Sequence, residues 1–277
     1  MMRRLTRAVL LVLLICCARQ AAAQGECGLT NGASMAFGTY TGGEAALAGT
    51  NTWKVVCAGS WNIPLNAGTG AGATETTRYM TGPGGAEIAY EVFQNSGRTT
   101  NWGNTTGTEM TGTGNQNGDY YGLITAGQYP APGTYTDTLS TATTNFPVSV
   151  TVVKACAISA TNLAFGTYTK TLIDSTSTIS VTCTNTTTYN VGLNAGTATG
   201  ATVTTRKMTG PGGYLLSYSL CQNSSCTTNW GNTVGTDTEA GTGTGALQSL
   251  TVYGQLPAGQ NVEAGNYTDT ITATITY

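Results

Sequence analysis

The residues of this chain that could do chemistry are eight cysteines, four tryptophans and a thin scatter of carboxylates; there is no histidine. Without an imidazole, Ser-His-Asp and Cys-His nucleophile systems have no base, and zinc sites lose their usual nitrogen ligand. Asp137 and Asp269 stand at matching places, each four residues after a glycine (Gly133 and Gly265). A carboxylate repeated at equivalent positions suits turn hydrogen bonding better than catalysis. The glycines flank no predicted helix, so no phosphate cradle forms. The sequence therefore predicts no enzyme, no cofactor and no metal site. Trp102 and Trp230 recur in equivalent contexts and read as scaffold, whereas Trp53 and Trp61 have no tryptophan counterparts.

The elements that must position these residues begin after a leader. Arg3, Arg4 and Arg7 precede an apolar run from Ala8 to Ala18, and small residues Ala21-Ala22-Ala23 follow. That order is a secretory signal peptide, residues 1–23, leaving Gln24 first in the mature chain. A lipid anchor at Cys16 or Cys17 would need a small residue just before the cysteine, and Ile15 and Cys16 stand there instead. Four of the eleven basic residues (Arg3, Arg4, Arg7, Arg19) leave with the leader, so seven remain against thirteen acidic ones, a net charge of −6. A mildly acidic surface argues against nucleic acid and against anionic lipid. Charged residues make up 9% of the chain; Thr, Gly, Asn and Ser replace them, which points to strands and turns.

The chain repeats itself. Leu65-Asn66-Ala67-Gly68-Thr69 recurs as Leu193-Asn194-Ala195-Gly196-Thr197, and Arg78-Tyr79-Met80-Thr81-Gly82-Pro83-Gly84-Gly85 as Arg206-Lys207-Met208-Thr209-Gly210-Pro211-Gly212-Gly213. Asn101-Trp102-Gly103-Asn104 recurs as Asn229-Trp230-Gly231-Asn232, Phe37-Gly38-Thr39-Tyr40 as Phe165-Gly166-Thr167-Tyr168, and Tyr135-Thr136-Asp137-Thr138 as Tyr267-Thr268-Asp269-Thr270. The period is far longer than a solenoid repeat, so these are two tandem domains. Each reads as short strands at sandwich spacing: 51–56, 61–66, 87–94, 118–124 and 134–143 in the first, and 178–183, 189–194, 215–221, 247–254 and 266–277 in the second.

Six cysteines remain after the leader, and an exported protein should pair them. Fifteen connectivities are possible; the repeat selects Cys27–Cys57 and Cys156–Cys183, each joining a first strand to a second. Cys221 and Cys226 replace Phe93 and Arg98 together, which indicates a third, local bridge.

Between the copies lies Phe146-Pro147-Val148-Ser149-Val150-Thr151-Val152-Val153-Lys154-Ala155. Phe146, Val148, Val150 and Val152 alternate with period two, as in a strand with one buried face. Pro147 lacks an N–H and suits an edge. Nothing like this segment follows the second copy, whose Tyr277 aligns with Asn145. The expectation is that 146–155 completes domain one in cis (residues 24–155), and that domain two (156–277) is one strand short.

The ordered set of Cys, Phe-Gly-Thr-Tyr, Cys, Leu-Asn-Ala-Gly, Arg-x-Met, Asn-Trp-Gly, Ala-Gly-Gln and Gly-x-Tyr-x-Asp-Thr resembles the spore coat protein U domain family, which includes pilins of archaic, Csu-type chaperone–usher pili. The resemblance covers nearly all of the mature chain, twice. It implies an all-β fold of two tandem immunoglobulin-like sandwiches, the second lacking its last (G) strand. It also implies partners: a periplasmic chaperone, an outer-membrane usher and an adjacent pilin subunit that donates an N-terminal strand. The acceptor edge would lie at Tyr267, Ile271, Ala273, Ile275 and Tyr277. Gln24-Gly25-Glu26 before Cys27 is too short to donate a strand in turn, so the expected role is a tip adhesin, exported through the periplasm to the cell surface. It would attach to abiotic or host surfaces and support biofilm formation. Candidate binding loops are Ala45, Ala46 and Leu47, and Ala71, as apolar tips; Trp53 and Trp61 are the alternative if the ligand is a saccharide. The rival functions are a tip initiator or adaptor without adhesive activity, a saccharide-binding module, and a secreted coat protein needing no chaperone.

Overall fold

The structure, a computed structural model, describes residues 27–277 except 33 and 44. The leader and Gln24–Glu26 lie outside the described residues. Apart from two single 3-10 turns at Pro83–Gly85 and Pro211–Gly213, every regular element among them is a strand.

In the first domain the strands are β1 (Gly28–Gly32), β2 (Met35–Tyr40), β3 (Leu47–Val56), β4 (Ser60–Ile63), β5 (Arg78–Thr81), β6 (Glu87–Phe93), β7 (Met110–Thr113), β8 (Gln116–Ile124), β9 (Gly133–Ser140) and β10 (Asn145–Val152). Eight of them form one curled sheet in the order β1-β3-β8-β6-β5-β9-β10-β2, and β4 pairs with β7 across the sandwich. Strict alternation explains β10: Phe146, Val148, Val150 and Val152 are buried, with Val148 fully so. It runs antiparallel to β9 from Asn145↔Ser140 to Val152↔Gly133, and parallel to β2 from Val148↔Met35 to Val152↔Tyr40. The strand stops at Val152. Val153–Ala155, read from the sequence as part of it, are the connection to the second domain.

The second domain contains β11 (Cys156–Ala160), β12 (Ile173–Cys183), β13 (Thr188–Leu193), β14 (Arg206–Thr209), β15 (Leu215–Cys221), β16 (Glu239–Thr242), β17 (Gln248–Leu256) and β18 (Ala273–Thr276). They form a five-stranded sheet, β11-β12-β17-β15-β14, facing a three-stranded one, β16-β13-β18. The expected strand over 266–277 is regular only in β18. From Asn266 to Thr272 the sole pairing among described residues is the bridge Thr209↔Thr268. The equivalent segment of domain one, β9, is paired along its length with β10; among the described residues no strand lies along that edge here.

Disulfides join Cys27 to Cys57, Cys156 to Cys183 and Cys221 to Cys226. Cys156 and Cys183 are directly opposed on β11 and β12, so that bridge staples neighbouring strands.

Candidate functional site

A shared polar scaffold sits at the centre of both domains. Arg78 is fully buried and donates only to main-chain carbonyls, to Asn66 (3.1 Å from Nε), Glu75 (2.6 Å) and Trp102 (2.6 Å). Arg206 repeats this with Asn194 (2.8 Å), Val203 (2.7 Å) and Trp230 (2.7 Å). Beside them, the Tyr90 hydroxyl donates to Asp137 Oδ2 (2.6 Å), while Oδ1 accepts from the Thr69 amide (2.8 Å) and hydroxyl (2.6 Å) and from the Thr138 amide (2.7 Å). Tyr218 and Asp269 stand in the same relation (2.7 Å). Burial first, then the bond to the carboxylate, pushes both tyrosine hydroxyls far above their ordinary range, so they stay protonated donors. Carboxylates so supplied with donors anchor a turn, Asp137 buried and Asp269 partly open at the edge of a groove. Trp102 and Trp230 are buried beside them, their indole N–H groups bonded to Ile63 and Val191 carbonyls. Among the described residues there is no group of three or more His, Cys, Asp or Glu able to hold a metal.

The domains differ where β10 lies. In domain one, Phe146 packs on Trp102 and Tyr120, with ring centroids 5.9 Å and 6.0 Å away, and the walls of its slot are sealed: Met35, Phe37, Tyr135 and Leu139 are all buried. Their counterparts in domain two, Leu163, Phe165, Tyr267 and Ile271, are only partly buried and surround the core without covering it. Between the 163–165 and 267–273 segments runs an open groove of about 670 Å³, floored by Tyr218, Leu220 and Val252. Its lining mixes apolar side chains with polar ones such as Asn162, Ser177 and Asp269, and one of its banks is the irregular 266–272 segment, bridged to β14 at Thr209↔Thr268.

The residues singled out in the sequence fall in different places. Tyr267, Ile271 and Ala273 line the groove. Ile275 does not: it pairs with Val191 on β13 and packs against the core from there. Tyr277 is half exposed beyond the strand. Ala45 and Ala46 are exposed, but Leu47 opens β3 opposite Ile124 and packs against the core. Their loop lies at the end of domain one that faces domain two, not at its free end, because β2 and β8 both terminate there. Ala71 is exposed on a turn, its amide bonded to Glu87 (3.1 Å). Trp61 is a core residue at 6% exposure and offers no stacking face, which corrects its candidacy for saccharide binding. Trp53 is half-buried with Trp61 edge-on against it at 5.7 Å, and its N–H is bonded to the Asp119 carbonyl.

A family model described as the Spore Coat Protein U domain matches the chain twice, over residues 14–141 and 142–274, and the chain belongs to that family. The second match begins before β10, so the segment that fills domain one in space is counted with the second copy in sequence. The chain is 37% identical over 155 residues to Protein U of Myxococcus xanthus, covering 50% of this chain and 86% of that protein. Among solved structures it is similar to a chain of the CsuC–CsuE chaperone–tip adhesion subunit pre-assembly complex from the archaic chaperone-usher Csu pili of Acinetobacter baumannii. The TM-score is 0.54 at 17% identity, over 91% of this chain and 100% of that one; the likeness is one of fold.

Proposed function

We propose that this two-domain member of the spore coat protein U domain family is a subunit of a chaperone–usher pilus, placed at its tip. In this reading domain two joins the fibre by accepting a strand in its groove, first from a periplasmic chaperone and then from the N-terminal extension of the next pilin. Domain one, which holds its own closing strand, is free to meet a surface and begin attachment and biofilm formation. The route is export through the periplasm and the usher to the cell surface, and no catalysis is assigned.

One observation carries the reading. The empty groove of domain two occupies the place that β10 fills in domain one, between segments equivalent to β2 and β9. A strand of alternating apolar residues entering there would lie antiparallel to 265–272 and parallel to 163–168, as β10 does. Four such side chains gain about 6–12 kcal/mol by burial, at roughly 1.5–3 kcal/mol each. That rivals the stability of a whole domain.

The test is to extend the chain after Tyr277 with a copy of residues 146–152 through a short polar turn. The extended chain is expected to accumulate in the periplasm as a folded monomer without any chaperone, while the unextended chain aggregates or is degraded unless a cognate chaperone is coexpressed. Soluble, monomeric export of the unextended chain alone would instead favour a secreted coat protein, a reading to which the family's description as a spore coat domain also lends support. Adhesion is tested separately: purified residues 24–155 should block attachment of piliated cells, and failure to do so would leave an initiator or adaptor role.

A further inference from the structure

We infer that the two domains are locked together by a dedicated joint, and that the equivalent end of domain two is built to refuse the same contact. This stands apart from whatever fills the groove.

The joint is made by both domains. On the domain-one side are Gly42, Gly43 and Tyr129. Gly42 is buried with φ +76°, and a Cβ there would sit 3.2 Å from Thr184 Cγ2, 3.3 Å from Tyr129 Cδ1 and 3.4 Å from Ala155 Cβ. Gly43 lies under the Tyr129 ring, which a Cβ would strike. Only glycine meets both demands at Gly42: left-handed backbone and a neighbouring domain in contact. On the domain-two side is the loop from Thr184 to Thr187. The Asn185 amide donates to the Tyr129 carbonyl (3.0 Å), and the Thr184 amide to the Ala155 carbonyl (2.9 Å). The Ala155 amide in turn donates to Thr184 Oγ1 (3.2 Å). Thr184 and Thr187 are buried, their hydroxyls 2.6 Å apart. The short link is held from the other side as well, the Val153 amide donating to the Tyr40 carbonyl (3.1 Å).

The repeat supplies the control, because each half of the joint is missing from the other copy. Gly42, Gly43 and Tyr129 are replaced at the equivalent end of domain two by Lys170, Thr171 and Asn261. All three are exposed, and Lys170 Nζ donates to Asn261 Oδ1 (2.8 Å). Lys170 keeps the left-handed backbone of Gly42 (φ +64°), so the turn is preserved while a long charged side chain stands where a docked domain would lie. Conversely, three residues separate Cys57 from Trp61 but five separate Cys183 from the aligned Tyr189. The two additional residues enlarge the loop that carries the docking threonines. The pad on domain one thus fits a domain of this family that carries the longer loop, and the polar cap on domain two does not. A following subunit seated in the groove is left without this second point of attachment, so the turning point of an assembly lies beyond domain two, not between the domains.

The test uses the full mature chain with spin labels on ketone-bearing residues introduced at the exposed positions Asn117 and Val234. The native chain should give one narrow interdomain distance distribution. Two variants should each widen it at least about two-fold, since domain motion is the default once an interface is lost. One carries Gly42→Lys, Gly43→Thr and Tyr129→Asn, copying domain two's cap. The other replaces residues 184–188 with Ala-Gly-Ser, copying the short loop. The loop variant leaves domain one untouched and decides the question should the first fail to fold. A native distribution already as broad as that of the variants, or a folded variant no broader than native, would overturn the joint.

Discussion

The first and second domains share a scaffold down to individual hydrogen bonds, yet one is closed and the other open. Arg78 and Arg206, Tyr90 and Tyr218, Asp137 and Asp269 make matching contacts, so the open domain does not lack an internal framework. The difference in closure comes from one strand and the segments it would straighten. Where β10 is present, β9 is regular and Tyr135 and Leu139 have no exposure. Where it is absent, 266–272 loses its ladder and Tyr267 and Ile271 stay partly open. A β-sandwich of this kind can thus be built almost entirely and still stand open along one edge.

The sharpest break of this comparison is a charge in each slot. Val150→Asp places an unpaired carboxylate in the core of domain one and should cost about 4 kcal/mol or more, unfolding that domain; no cooperative first-domain melting transition should remain. Ile271→Asp, at the open groove, should leave the transition of the free chain nearly in place. Equal damage from both would mean that the groove is closed in solution.

Next in size is Phe146→Ala, expected to destabilise domain one by roughly 3–5 kcal/mol in denaturant unfolding, against under about 1 kcal/mol for Ile271→Ala in domain two. A smaller difference comes from the bridge that only domain two possesses. Replacing Cys221 and Cys226 by serine opens a bridge between cysteines five positions apart and should lower the stability of domain two by about 2 kcal/mol. Phe93 and Arg98 hold the same turn in domain one, where Arg98 Nε reaches the Gly122 carbonyl (3.3 Å) and the guanidinium lies 6.0 Å from the Tyr121 ring centre.

The smallest effect concerns pH and should appear in both domains. Tyr90, Tyr218 and, at about 12, Tyr120 have folded-state pKa values above the ordinary 10 of an exposed tyrosine. Their contribution is complete below pH 10 and falls as pH rises toward the folded values, because the unfolded chain releases these protons first. Stability should drop by about 1 kcal/mol per such tyrosine between pH 10 and 11. Tyr90→Phe should remove its share of that slope in domain one alone, which a pH series of melting curves would resolve.

Much of this architecture was legible in the sequence because it is written as period and repeat. Alternation alone marks Phe146, Val148, Val150 and Val152 as one face of a strand, and the two copies of Gly-x-Tyr-x-Asp-Thr mark two sandwiches. What escaped depends on neighbours that pattern cannot name. Residues 266–272 have strand composition, but a ladder needs a partner on each side. Trp61 looked available because it has no tryptophan counterpart, yet its position alternates inward on β4. Ala45–Leu47 reads as an apolar loop tip, and only the fold shows that the tip is turned toward the second domain. The joint was hidden for another reason. Its signals are a two-residue difference in loop length and three substitutions scattered over ninety residues, which mean nothing until the two ends are placed in space.

The direct run from β10 into β11 has a mechanical consequence. Tension carried from domain two through the covalent link enters domain one at Val152, along the axis of the strand that seals it. Because β10 is bonded to β9 on one side and β2 on the other, such a pull shears both ladders at once instead of peeling them bond by bond. The element that completes the fold of domain one is therefore also the cable by which it is held.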